Sequence, residues 1–154
     1  MARCEIKLPD DFLQKVSHLG DKTDEIIAKS IEAGGEVVLA KAKGNLRAVV
    51  GKGTKYKSRS IGELAGALGL SPVKVNRQGI HNAKVGFSEP RRKQYAAKGK
   101  RSYSAITNAM LATVLEYGKH GQPAKPFLKP AKSSSRKSCQ EEMQRVLEEE
   151  IDKL

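Results

Sequence analysis

Residues 116–131, with the sequence EYGKHGQPAKPFLKPA, carry the strongest constraints on backbone geometry in the chain. Three of the eight residues from 123 to 130 are proline. Each proline fixes its own φ near about −65° and pushes the preceding residue toward an extended conformation. Phe127 and Leu128 are the large apolar side chains of this segment, and we expect them to insert into a core or a neighbouring protein. The stretch therefore predicts a rigid crossing between two secondary-structure elements.

The element before the crossing is harder to assign. Periodicity over residues 105–117 fits a helix or a strand equally well. The β-branched residues and the glycine that follows favour a strand over about 112–117, preceded by a helical turn. Residues 118–121 then supply a turn. An ordinary strand-to-helix connector is the plainer interpretation of the whole stretch.

The element after the crossing is predicted to be a helix over residues 130–153. Pro130 suits the first turn of a helix, because its missing N–H would have no intrahelical partner there. A capping-box pattern at Ser138 offers a later alternative start. Apolar residues form a seam along this segment and glutamates cover most of the remaining surface, as in an amphipathic helix.

The stretch also combines an acidic–aromatic–glycine tripeptide, a short gap and the pattern Pro-x-x-Pro-Phe-Leu-basic-Pro-Ala. This combination resembles the minor tail protein family of lambdoid siphophages, also called the gene-product-ten or tail completion family. Upstream the resemblance is looser, since Ile61 stands where the family has threonine in a Thr-Gly-x-Leu element. The motif residues, expected to form the core and the crossing, are Glu116, Tyr117, Gly118, Pro123, Pro126, Phe127, Leu128, Pro130 and Ala131.

The resemblance implies an α+β fold: a small antiparallel sheet of three to four strands, packed by a long N-terminal helix and a C-terminal helix. It implies a structural virion protein of a phage or prophage that acts in tail completion or head–tail joining. Subunits would assemble as a ring, expected to be a hexamer, at the head-proximal end of the tail. The implied partners are further copies of the chain, the tail tube, head-closure or connector proteins, and genome DNA in the channel. The implied location is the host cytoplasm during assembly and then the virion.

Two helices are predicted near the N-terminus. Apolar residues at spacings of four and three over 12–19 predict a short helix that Gly20 ends or kinks. A longer apolar repeat predicts a second, long helix over about 22–47. The Gly34-Gly35 pair within it costs about 1 kcal/mol per glycine relative to alanine. Such a cost indicates close packing against another backbone or a bend.

A β-hairpin is predicted further along the chain. The first strand spans about 67–76 and is interrupted at Pro72, which cannot donate a ladder hydrogen bond. Residues 76–79 supply turn chemistry, and the second strand spans about 80–88 with alternating apolar residues. The family resemblance makes the strand before the crossing the third strand of the implied sheet.

The formal net charge of +12 is concentrated in the middle of the chain. Residues 1–36 carry a net charge of −3, residues 37–140 one of +19, and residues 141–154 one of −4. This distribution fits a polyanionic partner, a ring of subunits whose basic and acidic surfaces meet, or a basic surface that confers solubility alone.

A single domain over residues 1–154 is predicted, with flexible basic loops at about 51–62 and 89–104. The second loop interleaves basic residues with tyrosines. It fits a nucleic-acid-binding arm, a segment that docks on an acidic protein surface, or a solvated loop. Its candidate subunit-interface or DNA-channel residues are Arg91, Arg92, Lys93, Tyr95, Lys98, Lys100, Arg101 and Tyr103.

No catalytic residue, cofactor site or metal site is predicted. The three histidines, His18, His81 and His120, are far apart in the sequence, and no metal-binding spacing of His or Cys occurs. Residues 51–54 (Gly-Lys-Gly-Thr) lack the spacing of a phosphate-binding loop. The two cysteines are expected to be free thiols in a reducing compartment. No apolar run suits a membrane span or a signal peptide, so folding in a cytoplasm without a membrane partner is expected.

The favoured hypothesis is therefore a non-enzymatic tail protein. The alternative is a non-catalytic, sequence-nonspecific nucleic-acid-binding protein, whose binding would weaken steeply with salt. A third hypothesis is a tail-assembly chaperone or head-closure adaptor.

Overall fold

The computed structural model describes residues 10–53, 60, 62–89 and 107–153, and for residues 10–19 and 21 it describes the backbone alone. The predicted basic loops fall largely outside these ranges, as do all candidate residues from Arg91 to Tyr103. The described elements, in chain order, are α1 (Asp10–Val49), α2 (Glu63–Ala67), β1 (Leu68–Leu70), β2 (Lys74–Val75), β3 (His81–Asn82), β4 (Val85–Phe87), α3 (Asn108–Tyr117) and α4 (Leu128–Asp152).

Helix α1 is one continuous helix of 40 residues. Of the two predicted roles of Gly20, the end of a short first helix is wrong, because α1 continues through this residue. Glycine keeps its backbone N–H, so the hydrogen-bond ladder continues through it at a cost of about 1 kcal/mol. A Cβ atom at Gly20 would meet no heavy atom within 4 Å, so this glycine is not required by packing.

Helices α1 and α4 pack against each other in antiparallel directions. At the middle of α1, the Lys29 ammonium lies 2.7 Å from the Glu150 carboxylate. Near its end, the Asn45 amide donates to the backbone carbonyl of Phe127 at 3.2 Å. Between these two contacts, the buried hydroxyl of Ser30 donates to the Met143 carbonyl at 2.8 Å. The two predicted long helices therefore form the frame of the described structure.

The Gly34-Gly35 pair lies where α4 and β1 pack closely on α1. A Cβ atom on Gly34 would lie 2.4 Å from Cγ of Met143 in α4. A Cβ atom on Gly35 would lie 2.7 Å from Cδ1 of Leu70 in β1. The prediction of close packing is confirmed, although side chains rather than another backbone occupy the space.

The predicted hairpin is present, but the predicted sheet of three to four strands is wrong. Within the described ranges there are two separate two-stranded antiparallel sheets, β1 with β4 and β2 with β3. Leu68 pairs with Phe87 in the first sheet. The ladder breaks around Pro72, which has no N–H, and the hydroxyl of Ser71 accepts from the Lys84 amide at 2.9 Å instead. This interruption divides the hairpin into two short pieces.

The predicted strand over 112–117 is also wrong, because these residues belong to helix α3. Thr107 caps this helix by accepting from the Met110 amide at 3.1 Å. Three residues spaced four apart are buried along its inner face: Asn108, Ala112 and Glu116. Burial of this face outweighs the weak strand preference of the β-branched residues, as tertiary context commonly does. The sheet consequently has no third strand here.

Helix α4 begins at Leu128, two residues before the predicted start, and ends at Asp152. The alternative start at Ser138 is wrong, since Ser138 is an exposed residue inside the helix. The small core lies where α4 begins. Its buried members come from α1, β1, α3 and the N-terminal end of α4 with its N-cap, and they are Ala42, Leu46, Leu68, Ala112, Phe127 and Ala131. The predicted insertion of Phe127 into a core is confirmed.

Candidate functional site

Glu116 connects the end of α3 to the beginning of α4. One carboxylate oxygen accepts from the amides of Phe127 at 2.8 Å and Leu128 at 2.9 Å, and the other accepts from the Lys129 amide at 2.9 Å. These amides belong to the first turn of α4, whose N–H groups have no intrahelical acceptor. Phe127, at the N-cap position, offers no side-chain cap. A buried glutamate from another helix therefore performs the capping.

The electrostatics of this cap favour the ionised form of Glu116. Burial by itself raises the pKa of the Glu116 carboxyl, but the three backbone donors and the nearby Lys129 charge outweigh burial and hold the pKa below its usual range. A negative charge is also stabilised by the positive end of the α4 dipole. Glu116 is thus a charged group with an exposed fraction of only 5% whose partners are all provided by the crossing.

Gly118 lets the chain turn back directly after α3. Its φ is 77°, in the left-handed region that favours glycine. A Cβ atom there would lie 2.8 Å from both the Ala124 amide nitrogen and the Gln122 carbonyl oxygen. The segment after the turn is fixed to α3 by a 2.7 Å hydrogen bond from the Lys125 amide to the Leu115 carbonyl. The returning chain thereby reaches the position at which Glu116 can cap α4.

Phe127 fixes the crossing to the rest of the molecule. Its ring has no exposed surface and meets the ring of Phe87 edge-on, with 6.1 Å between centroids. Its carbonyl accepts from Asn45 of α1. The side chain of Lys125 also donates to the backbone carbonyl of Lys52, just after α1. The predicted rigid crossing therefore lies between α1, β4 and α3.

The motif residues fall into three groups by burial. Glu116, Phe127 and Ala131 are buried, and Gly118 and Leu128 are half-buried. The exposed residues are Tyr117, Pro123, Pro126 and Pro130. The ring of Tyr117 is 65% exposed and lies 5.1 Å from the ammonium of Lys129. The buried group holds the crossing together, and the exposed group forms its outer surface.

An open apolar groove of about 800 Å³ lies beside the crossing, between α1, the hairpin, α3 and α4. Val38, Leu70 and Phe87 contribute to its apolar wall. Lys129 and Lys132 from the start of α4 line it as charged residues, together with Glu116. The groove is therefore apolar within and predominantly basic in its charged lining.

The capping role of Glu116 is not predicted by sequence patterns. The available signal is the absence of Ser, Thr, Asp or Asn at the N-cap position before α4, which means that an acceptor has to come from elsewhere. Nothing in the spacing of residues 116 and 127 indicates that Glu116 provides it. The family resemblance identifies Glu116 as a motif residue but assigns it no physical role.

The remaining candidates for chemistry do not come together. Nε2 of His81 lies 3.3 Å from the carboxylate of Asp24, and His120 is exposed in the turn after α3. Among the described residues, no group of three or more His, Cys, Asp or Glu side chains is arranged to hold a metal ion. Within the same ranges, no helix combines the length and apolar character that a membrane crossing requires.

Residues 10–118 match the sequence model of a protein family described as "Bacteriophage HK97-gp10, putative tail-component". The match extends from the start of α1 to Gly118, so it includes the Glu116-Tyr117-Gly118 tripeptide and ends before the prolines. No curated protein and no solved structure matches the chain significantly.

Proposed function

The chain belongs to the HK97-gp10-like family of bacteriophage tail components, and we propose that it acts in tail completion, at the head-proximal end of the tail where the tail joins the head. A tail component is part of the virion and contacts other virion proteins. The family match over residues 10–118 is the observation that carries this proposal. Assembly in the host cytoplasm before incorporation into the virion is part of the same proposal.

We further propose that the chain forms a ring as a single structural, non-enzymatic domain, with a hexamer as the expected size. The rigid connection through Glu116 supports such a role, because a subunit of a closed ring has to keep its contact surfaces at a fixed angle. Its partners would be neighbouring copies, the tail tube and the connector proteins. The motif residues would form the rigid core of each subunit, and the loop at about 89–104 would reach a neighbour or the DNA channel.

Sequence-nonspecific nucleic-acid binding is the second candidate function. The observation that favours it is the net charge of +19 over residues 37–140. Such binding would depend on phosphate contacts and would lose affinity steeply as the salt concentration rises. A ring around a DNA channel would also place basic side chains near DNA, so the proposed tail role is compatible with the charge as well. Nucleic-acid binding alone explains the charge but not the family match.

Deletion of the gene from its phage or prophage tests the proposal. Electron microscopy of the resulting particles is expected to show filled heads separate from tails, or tails of irregular length. Supply of the chain from a plasmid should restore joined, infectious particles. Normal particles in the deletion strain would contradict the proposal. In a rescued strain, a chain lacking residues 91–101 that still forms a symmetric ring would contradict the role of that loop in assembly.

A further inference from the structure

The antiparallel packing of α1 and α4 sorts the charges of the two helices into opposite ends. We define the acidic pole as residues 22–36 and 140–153, and the basic pole as residues 37–49 and 128–139. The acidic pole holds ten acidic and four basic side chains, a net charge of −6. The basic pole holds seven basic and no acidic side chains, a net charge of +7. Charge blocks at opposite ends of the sequence therefore meet in space.

Most ion pairs of the acidic pole join charges of that same pole, so they leave its net charge unchanged. At the acidic pole, Lys29 and Lys153 both contact Glu150, and the two ammonium groups lower the pKa of Glu150 to about 2. Arg145 pairs with its helical neighbours on α4. At the basic pole, the ion pair found among the described residues is that of Lys137 with Glu141, at 3.6 Å, on the boundary between the poles. The net charges of −6 and +7 are therefore available to an external partner.

We propose that the basic pole of one subunit docks on the acidic pole of the next copy of the same chain. The inference rests on the proposed ring and specifies which surfaces make it. Two oppositely charged surfaces on one molecule attract each other between copies, and such complementarity steers association and fixes register. A polyanion such as DNA would also bind the basic pole, but it would be repelled by the acidic pole. A second copy of the chain provides a partner of opposite charge for the basic pole and for the acidic pole.

The exposed residues of α4 illustrate how the contact is built. Lys132 and Arg136 are exposed and four residues apart, so they lie on one face of the helix. Glu148 and Asp152 have the same spacing and are also exposed. The two pairs are separated by 16 positions, which corresponds to about 24 Å along the helix and about 160° around it. A two-fold dimer of antiparallel helices would need the basic pair and the acidic pair on the same side of α4. Because they lie on nearly opposite sides, head-to-tail contacts between successive copies are favoured.

The apolar surfaces near the poles agree with this arrangement. Lys132 of the basic pole lines the apolar groove, which also extends along Ile31 and Met143 of the acidic pole. At the acidic pole, Ile151 is 43% exposed and stands next to Asp152. Docking of the acidic pole would bring Ile151 toward the groove of the neighbouring copy. The carboxylates of the acidic pole would then meet Lys129 and Lys132, which line that groove. The groove and its basic lining match an acidic helix end that carries an exposed apolar residue.

Charge reversal in the full-length chain tests the proposal. One variant is K132E/R136E and the other is E148K/D152K. The matched control is R77E/K84E, which makes the same charge change as the first variant at exposed positions of the hairpin. Sedimentation velocity would be measured at about 10 mM salt, where charges act over about 30 Å, and at about 1 M, where they act over about 3 Å.

We expect the wild-type chain and the control to self-associate at low salt and to dissociate at high salt. Each pole variant alone should associate at least about tenfold more weakly, since K132E/R136E reduces the net charge of the basic pole from +7 to +3 and E148K/D152K reduces that of the acidic pole from −6 to −2. An equimolar mixture of the two pole variants should recover association, because the unaltered acidic pole of one variant can dock on the unaltered basic pole of the other. Circular dichroism would establish that each variant is folded, and recovery in the mixture would itself require folded chains.

Three results would overturn the inference: a wild-type chain that stays monomeric at low salt, pole variants that associate like the control, or a mixture that does not recover. Weakened binding of K132E/R136E to a DNA duplex, without any change in self-association, would assign the basic pole to nucleic acid instead. The proposed function fails separately. A deletion strain with normal particles would contradict the tail role even if charge reversal controls self-association, and defective particles rescued by K132E/R136E would contradict the interface alone.

Discussion

The capping of α4 by Glu116 predicts a specific loss of stability in the variant E116Q. Glutamine keeps the shape of the side chain but replaces one acceptor oxygen with an NH₂ donor and removes the charge. In the native structure, three amide donors at 2.8–2.9 Å point at the carboxylate. At least one of them would face another donor in the variant. A hydrogen bond to a charged group contributes about 1.5–3 kcal/mol, and a buried donor left unpaired costs about 1–3 kcal/mol.

Two of the three donors are only partly buried, so water can replace part of what is lost. We therefore expect the free energy of unfolding at pH 7 to fall by about 2 kcal/mol in E116Q and by about 4 kcal/mol in E116A. For a chain of this length, a change of 2 kcal/mol lowers the melting temperature by about 4–8 °C. Urea denaturation measures the effect. The control is E36Q, the same substitution at an exposed position of α1, which should change stability by less than about 0.5 kcal/mol.

The pH dependence separates this mechanism from a general packing defect. Because the pKa of Glu116 is lowered in the folded state, its charge stabilises the fold fully above the ordinary glutamate pKa of about 4.3. This contribution is lost as the pH falls through the lowered folded-state value. The stability difference between wild type and E116Q should therefore shrink below about pH 4. Hydrogen exchange should also show faster exchange of the Phe127, Leu128 and Lys129 amides in E116Q. A difference that is constant from pH 7 to pH 3, or that equals the difference for E36Q, would refute the capping argument.

Three further substitutions test the packing around the crossing and along α1. G118A should lower the free energy of unfolding by about 2 kcal/mol in urea denaturation, because alanine would be strained at a positive φ and would meet the backbone of the returning chain. The control G20A, in open space on α1, should instead raise the free energy of unfolding by about 0.5–1 kcal/mol. Equal effects of the two substitutions would contradict the argument. G34A should cost about 1–3 kcal/mol through its clash with Met143, and the double variant G34A/M143A should show a non-additive recovery in a double-mutant cycle. F127A should cost about 3–5 kcal/mol by thermal denaturation, because it empties the centre of a small core, and a loss below about 1 kcal/mol would show that the core collapses around the vacancy.

Sequence patterns predict the elements whose signals are local. The repeat over residues 22–47 and the seam after Pro130 identify the two long helices, because each presents an apolar face at helical spacing. The alternation around the turn at 76–79 identifies the hairpin for the same reason. Pro72 likewise marks the position at which the hairpin is interrupted, since the loss of one donor is a local effect.

The assignments that fail depend on contacts between distant residues. The segment ending at Tyr117 has β-branched residues, and its intrinsic preference suggests a strand. The packing of Ala112 into the core and the capping by Thr107 make it a helix. Because this segment is helical, the predicted sheet loses its third strand. A weak local preference cannot reveal which face of a segment will be buried by the rest of the chain.

The role of Glu116 shows why the candidate site could be located but not explained from the sequence. The motif combines Glu116, Gly118 and Phe127, and in one dimension these residues share no pattern of charge or periodicity. In the folded structure each residue makes a different contribution to the connection between α3 and α4. Gly118 allows the reversal, Phe127 fixes the crossing in the core, and Glu116 satisfies the amides that the reversal brings to it. Substitution of any one of these residues disturbs the geometry on which the contacts of the other two depend. Their effects on the free energy of unfolding should therefore be non-additive in double-mutant cycles.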